Sequence, residues 1–174
     1  MAESELEKAV AILGGQEVFQ PKARTATLTR RKPLSGRKVL VQATRNVLDT
    51  SAERINWTQL IRAGIASVAL QNTGDQLRVS VNELSQHLRL PARTIHRRLA
   101  KGQRLSAEET ERTCRVARAL AKAQQLLGDE NGRLWLLGAC QGLGGDKPIT
   151  LLDTADGFGA VIDELGRLEY GVIS

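Results

Sequence analysis

The chain has 174 residues, enough for one full domain or two small ones, and its 41% hydrophobic but only 3% aromatic content suits small packed helices better than a strand sandwich. No apolar run reaches the roughly 18–20 residues of a membrane span, and the acidic start Met1-Ala2-Glu3-Ser4-Glu5 lacks the apolar core of a signal peptide, so a cytoplasmic protein is expected. The net charge of +6 is unevenly spread, with nine Lys/Arg against five Asp/Glu in residues 1–50, nine against three in 51–105, and seven against eleven in 106–174. A basic front and an acidic rear imply two different partners, the front one anionic.

After a short helix expected near Glu5–Leu13, no acidic residue occurs between Glu17 and Asp49, while Lys22, Arg24, Arg30, Arg31, Lys32, Arg37, Lys38 and Arg45 are all basic. Pro21, Pro33 and Gly36 break this stretch, and its apolar residues keep no period. It reads as an irregular extension, either a solvated linker or an arm that follows a phosphate backbone. Residues 1–50 are therefore set apart from a front domain (51–105) and a rear domain (106–174).

Helical signals begin at Asn56, a cap before Trp57, Leu60 and Ile61, with Gly64 ending the turn. A second short helix is expected over Ile65–Gln71, stopped by Asn72-Thr73-Gly74. Ser80-Val81-Asn82-Glu83 and Ser106-Ala107-Glu108-Glu109 both have capping-box spacing, in which hydroxyl and carboxylate each satisfy a free backbone donor. Val116, Leu120, Ala123 and Leu127 recur at helical spacing and predict one apolar face on a long helix ending at Gly128. A short helix over Asp129–Leu137, a Gly-rich loop over Gly138–Asp146 and a turn of helix from Pro148 follow. Phe158, Val161, Ile162 and Leu165 line a last helix that Gly166 is expected to close, leaving a tail from Arg167 to Ser174.

Val81–Leu99 has the layout of a helix-turn-helix. Leu84, Leu88, Leu90 and Ile95 fall where that motif buries apolar side chains, and Ser85 is small where the helices meet. With Ile95 inward, Arg93, His96 and Arg97 face outward on a helix that fits the major groove, where Arg can donate twice to guanine. Arg98, Lys101 and Arg104 are placed to meet phosphates. His96 is either a groove-facing donor or an ordinary surface histidine. Arg89 occupies the turn position that often holds Gly, which calls for a less sharp turn or an unusual backbone. Arg98 stands where many such helices bury an aliphatic residue, with Leu99 taking over that packing.

Enzyme chemistry is not expected. The Gly-rich loop ends Gly145-Asp146-Lys147-Pro148, whereas a P-loop needs Ser or Thr after its Lys, and a dinucleotide fingerprint lacks both its third Gly and a preceding strand. Two histidines and two distant cysteines, Cys114 and Cys140, assemble no catalytic or metal set, so no cofactor is expected and both thiols read as reduced.

In its rear half the chain resembles the Xre/MbcA/ParS-type antitoxins of bacterial type II toxin–antitoxin systems. The resemblance is carried by Leu143-Gly144-Gly145-Asp146-Lys147-Pro148, Leu151-Leu152-Asp153-Thr154, Gly157, Val161 and the ending Leu165-Gly166-Arg167-Leu168-Glu169-Tyr170-Gly171-Val172. Trp135-Leu136 and, in front, Arg93-Thr94 with Arg97-Arg98 also match it. It covers about Trp57 to Ser174 and leaves the N-terminal extension unexplained. The resemblance implies an all-α protein with a Cro-like helix-turn-helix domain and a C-terminal helical toxin-binding domain. It further implies operator DNA as one partner, homodimerisation, and a RES-domain toxin that consumes NAD⁺ or transfers ADP-ribose as the other. Its blocking residues would be Glu169, Tyr170, Gly171, Val172, Ile173 and Ser174. The tail's own chemistry fits either a partner's cleft, where a terminal carboxylate could meet basic groups, or a fold back onto this chain's helices. A repressor whose rear domain only dimerises, and an adaptor without operator specificity, are the rival readings.

Overall fold

The computed structural model describes residues 2–15 and 57–171, so the basic stretch 22–45, the expected cap Asn56 and Val172, Ile173 and Ser174 lie outside the described residues. Among the described residues the regular elements are helices, joined by one isolated antiparallel bridge between Ala66 and Arg104. They are α1 (Ala2–Ile12), α2 (Trp57–Ala63), α3 (Val68–Leu77), α4 (Val81–His87), α5 (Ala92–Lys101), α6 (Ala107–Leu127), α7 (Asp129–Leu137), α8 (Pro148–Leu151) and α9 (Ala155–Glu169). The protein is all-α.

The 21-residue α6 is the spine. Its start is fixed by a complete capping box: Glu109 N–H donates to Ser106 Oγ at 3.2 Å and Ser106 N–H to the Glu109 carboxylate at 2.7 Å. The expected apolar stripe is present but too narrow. Ala117, Ala119, Ala121 and Cys114 are buried along with Val116, Leu120 and Ala123, while Leu127 is only half-buried. Alanines on several faces let α1, α7 and α9 approach from different sides, as a central helix requires.

The first helix is part of that core. Ala9, Ile12 and Leu13 of the α1 segment are buried, and Asn72 Nδ2 donates to Leu13 O at 3.2 Å, tying α1 to α3. The basic N-terminal extension, expected to stand apart, is thus preceded by a helix packed on α6 and α3.

Two expected helix stops are not stops. Asn72-Thr73-Gly74 lies inside α3, where Thr73 Oγ1 bonds back to Ala69 O at 2.8 Å and Gly74 is buried, its missing side chain leaving room for Val79 O. Gly74 serves close packing there, and the helix ends instead at Arg78, with φ of 56°. Gly166 likewise lies within α9, which runs three residues further because Glu169 in its last turn pairs with Lys122 of α6 at 3.0 Å. Gly171, with φ of 68°, follows the end of α9.

The turn from α6 into α7 depends on Gly132. A Cβ there would lie 2.5 Å from Gln124 N and 2.6 Å from Ala123 C, so the two helices touch backbone to backbone.

Candidate nucleic-acid interface and C-terminal surface

α4 and α5 form a helix-turn-helix whose inner side is apolar. Leu84, Leu88 and Ile95 are fully buried and Leu90 almost so. Ser80 Oγ accepts from Glu83 N–H at 3.1 Å, forming the first half of the expected box. Ser85, buried at the crossing, accepts Leu90 N–H on its carbonyl at 2.8 Å. The turn is made by Arg89 with φ of 49°, so of the two possibilities for this position the unusual backbone is the one observed.

The outer side of α5 is cationic and contains no carboxylate. Arg93, Arg97 and Lys101 are exposed one helical turn apart, a single row with no ion-pair partner among the described residues. Thr94 beside them is half-buried. His96 is exposed too, and its Nε2 lies 2.6 Å from Asn82 Oδ1, linking α5 to the first turn of α4. If Nε2 carries the proton, Nδ1 is left as an acceptor.

Arg98 and Arg104 have internal partners. Arg98 Nη1 donates to Arg104 O at 2.8 Å, and its Nε lies 3.1 Å from the buried Glu109 carboxylate. Arg104 Nη1 donates to Gly64 O at 2.8 Å. The Glu109 contact holds α5 onto α6, and the Arg104 contact closes the chain onto the end of α2, so both guanidinium groups expected to meet phosphates are engaged within the protein. Where an aliphatic residue would ordinarily be buried, the stem of Arg98 and half-buried Leu99 share the position.

In the C-terminal module, α9 packs Val161 and Leu165 on α6, with Phe158 and Ile162 half-buried beside them. The Arg118 guanidinium lies 4.8 Å from the Phe158 ring centre and 5.5 Å from that of Trp57, bordering a cleft of about 170 Å³. Cys114 faces the same cleft, where burial pushes its thiol up to about 12. The last turn of α9 and its cap expose apolar surface: Leu168 is 40% exposed and Tyr170 is 82% exposed.

A helix-turn-helix with a bare cationic row, followed by a helical module ending in exposed apolar groups, matches two known domains. Residues 57–118 match the antitoxin Xre-like helix-turn-helix domain, and residues 122–171 the antitoxin Xre/MbcA/ParS C-terminal toxin-binding domain. The chain carries the two domains of the Xre/MbcA/ParS antitoxins in tandem.

It is 38% identical over 87 residues to Antitoxin Xre of Yersinia enterocolitica serotype O:8 / biotype 1B, an overlap of 49% of this chain and 59% of that protein. It is 27% identical over 134 residues to the Prs ADP-ribosylating antitoxin of Sphingobium sp. (strain YBL2), covering 71% and 84%. Against Antitoxin Xre of Photorhabdus laumondii subsp. laumondii the identity is 30% over 84 residues, covering 47% and 57%. The chain thus spans less than two thirds of the length of either Xre relative.

The two matched stretches meet inside α6, so one helix carries both modules. The expected DNA-facing residues are gathered on α5 and its C-terminal flank. Of the expected toxin-facing residues, Glu169, Tyr170 and Gly171 are described, all exposed. Sequence reasoning missed the carboxylates that bind the front module: Glu109 under Arg98, and Glu130 and Asp153 further along the chain. Pairings over 11 to 64 residues leave no periodic trace.

Proposed function

We propose that this antitoxin neutralises a RES-domain toxin and represses its own operon. The front module, through residue 105, reads operator DNA with Arg93, Thr94, His96 and Arg97, while Lys101 and, more weakly, Arg98 and Arg104 contribute to the phosphate field. The rear module, 106–174, covers the toxin. Its tail, Glu169–Ser174, obstructs an active site that consumes NAD⁺ or transfers ADP-ribose, and the antitoxin acts as a homodimer in the cytoplasm. The Sphingobium relative's name joins antitoxin to ADP-ribosylation, which favours ADP-ribose chemistry in the partner.

The observation that carries the reading is the end of α9. Leu168 and Tyr170 stay exposed although Glu169, between them, is anchored to Lys122. A phenol ring 82% exposed on an ordered helix end has surface that a partner's cleft can cover. This favours a tail offered outward over one folded back on α6.

Deletion of Tyr170–Ser174 tests it. The truncated protein is expected to bind operator DNA as before but to leave the co-expressed toxin active in an NAD⁺-consumption assay. Full inhibition by the truncated chain would rule out a plugging tail.

A further inference from the structure

Four helices, α1, α3, α4 and α5, end in the same way: one or two residues past the helix the chain turns left-handed, and the next N–H reaches back five residues. The bonds are Gly15 N–H to Val10 O, Val79 N–H to Gly74 O, Leu90 N–H to Ser85 O and Gln103 N–H to Arg98 O, all between 2.8 and 3.0 Å. The left-handed residue is Gly14 after α1 and Gly102 after α5, as this motif favours. After α3 and α4 it is Arg78 and Arg89, the two non-glycine residues with positive φ among the described residues. A side chain at such a position is disfavoured unless something holds it.

Both arginines are held, and both by carboxylates of the C-terminal module. Arg78 meets Glu130 of α7 with two nitrogens at 3.3 Å, and Arg133 braces the same carboxylate. Arg89 Nε lies 3.0 Å from Asp153 Oδ2 in the turn before α9. Asp153 is well covered, its carbonyl accepting from Arg115 at 3.0 Å. From α6, Arg112 Nη1 donates to Leu88 O at 2.8 Å and Arg89 O at 3.2 Å. The two left-handed arginines stand at the two ends of α4, the helix on which α5 is seated.

We infer that Glu130 and Asp153 are positioning residues for DNA binding: by holding Arg78 and Arg89 they fix α4, and with it the angle at which α5 meets a duplex. The C-terminal module therefore sets operator affinity without touching DNA. This rests on the DNA-binding role proposed for α5.

Charge alone predicts the opposite sign, which makes the test sharp. Glu130→Gln and Asp153→Asn each remove a negative charge and should tighten binding to any polyanion. The inference expects each to weaken operator affinity by about three-fold and both together by about ten-fold, with binding to random-sequence duplex unchanged or tighter. In an Arg78→Gly/Arg89→Gly background, where glycine holds the turns unaided, operator affinity should stay within about two-fold of wild type and the carboxylate changes should be silent. Operator affinity that is unchanged or tighter in Glu130→Gln/Asp153→Asn overturns the inference. So does an equal loss on random duplex, or a loss in Arg89→Gly as large as in Asp153→Asn, which would put Arg89 itself on the DNA. Hydrogen exchange gives a DNA-free readout: the amides of Val79 and Leu90 should exchange faster in the carboxylate variants, and unchanged exchange refutes the clamp. Failure of the wild-type protein to bind operator at all would strike the DNA-binding role, while the exchange data would still decide whether the clamp exists.

Discussion

Arg93 and Arg98 lie on the same short helix and carry the same side chain, yet their surroundings give them different work. Arg93 projects from the exposed row, whereas Arg98 is three-quarters covered and compensates Glu109, whose side chain is 8% exposed. Arg93→Ala is expected to leave the urea midpoint nearly unchanged and to cost about 1–3 kcal/mol of operator binding. Arg98→Ala leaves the buried Glu109 carboxylate with the Ser106 N–H but no countercharge, and should lower unfolding stability by about 1–3 kcal/mol. Urea titrations and operator titrations of both variants check the separation, and a stable Arg98→Ala protein would show that Glu109 needs no cationic partner. Cys114 is a second residue whose role is set by cover. Its proton is kept to about 12 in the folded state, against 9.0 for a free thiol. Below the lower value the thiol is neutral in both states and its stability contribution is complete. As pH rises towards the higher value the unfolded chain alone loses the proton, and stability falls. Wild type should therefore lose more stability than Cys114→Ala between about pH 8 and pH 11, measured by urea midpoint. Parallel losses would mean the thiol is accessible to titration in the native protein.

At the scale of elements, what was legible in sequence is what short-range chemistry decides. The box at Ser106 and Glu109, the buried Leu84–Leu88 face, the span of α7 and the turn at Arg89 follow from groups within a few residues of one another. Neither Gly74 nor Gly166 ends its helix, because a glycine punctuates a helix only where its surroundings do not favour continuing it. Gly74 makes room for Val79 O, and the Lys122–Glu169 pair extends α9 past Gly166. The breadth of the buried surface on α6 was hidden as well, because alanine at 117, 119, 121 and 123 signals close approach only once the neighbours are known. Gly132 shows how tight that approach is. Gly132→Ala improves helix propensity by about 1 kcal/mol in isolation, but its methyl group would press on the α6 backbone at Ala123 and Gln124. Overpacking against backbone is expected to dominate, with a net loss of about 1–3 kcal/mol read from thermal or urea unfolding. A stabilised variant would show that the two helices can move apart freely.

Across the whole molecule, the element that no functional reading singled out joins everything else. α1 comes from the far N-terminal end of the chain, seals α6 with Ala9, Ile12 and Leu13, and reaches α3 through Asn72. Since α6 carries residues of both matched domains, loosening α1 weakens the support of the DNA-facing row and of the C-terminal surface alike. Leu13→Ala removes a fully buried side chain and should cost about 2–5 kcal/mol, a large part of what holds a domain of this size together. The functional signature differs from that of the site variants. Arg93→Ala should impair operator binding alone and loss of Tyr170–Ser174 toxin inhibition alone, whereas Leu13→Ala should reduce both by the same fraction. That shared loss should grow with temperature in step with the unfolded population, and at low temperature both activities should return together. Melting curves recorded beside both assays over the same temperatures test this. If Leu13→Ala abolishes one activity while the melting temperature and the other activity stay as in wild type, α1 must take part directly in that one interaction, and its place as common support for both modules is lost.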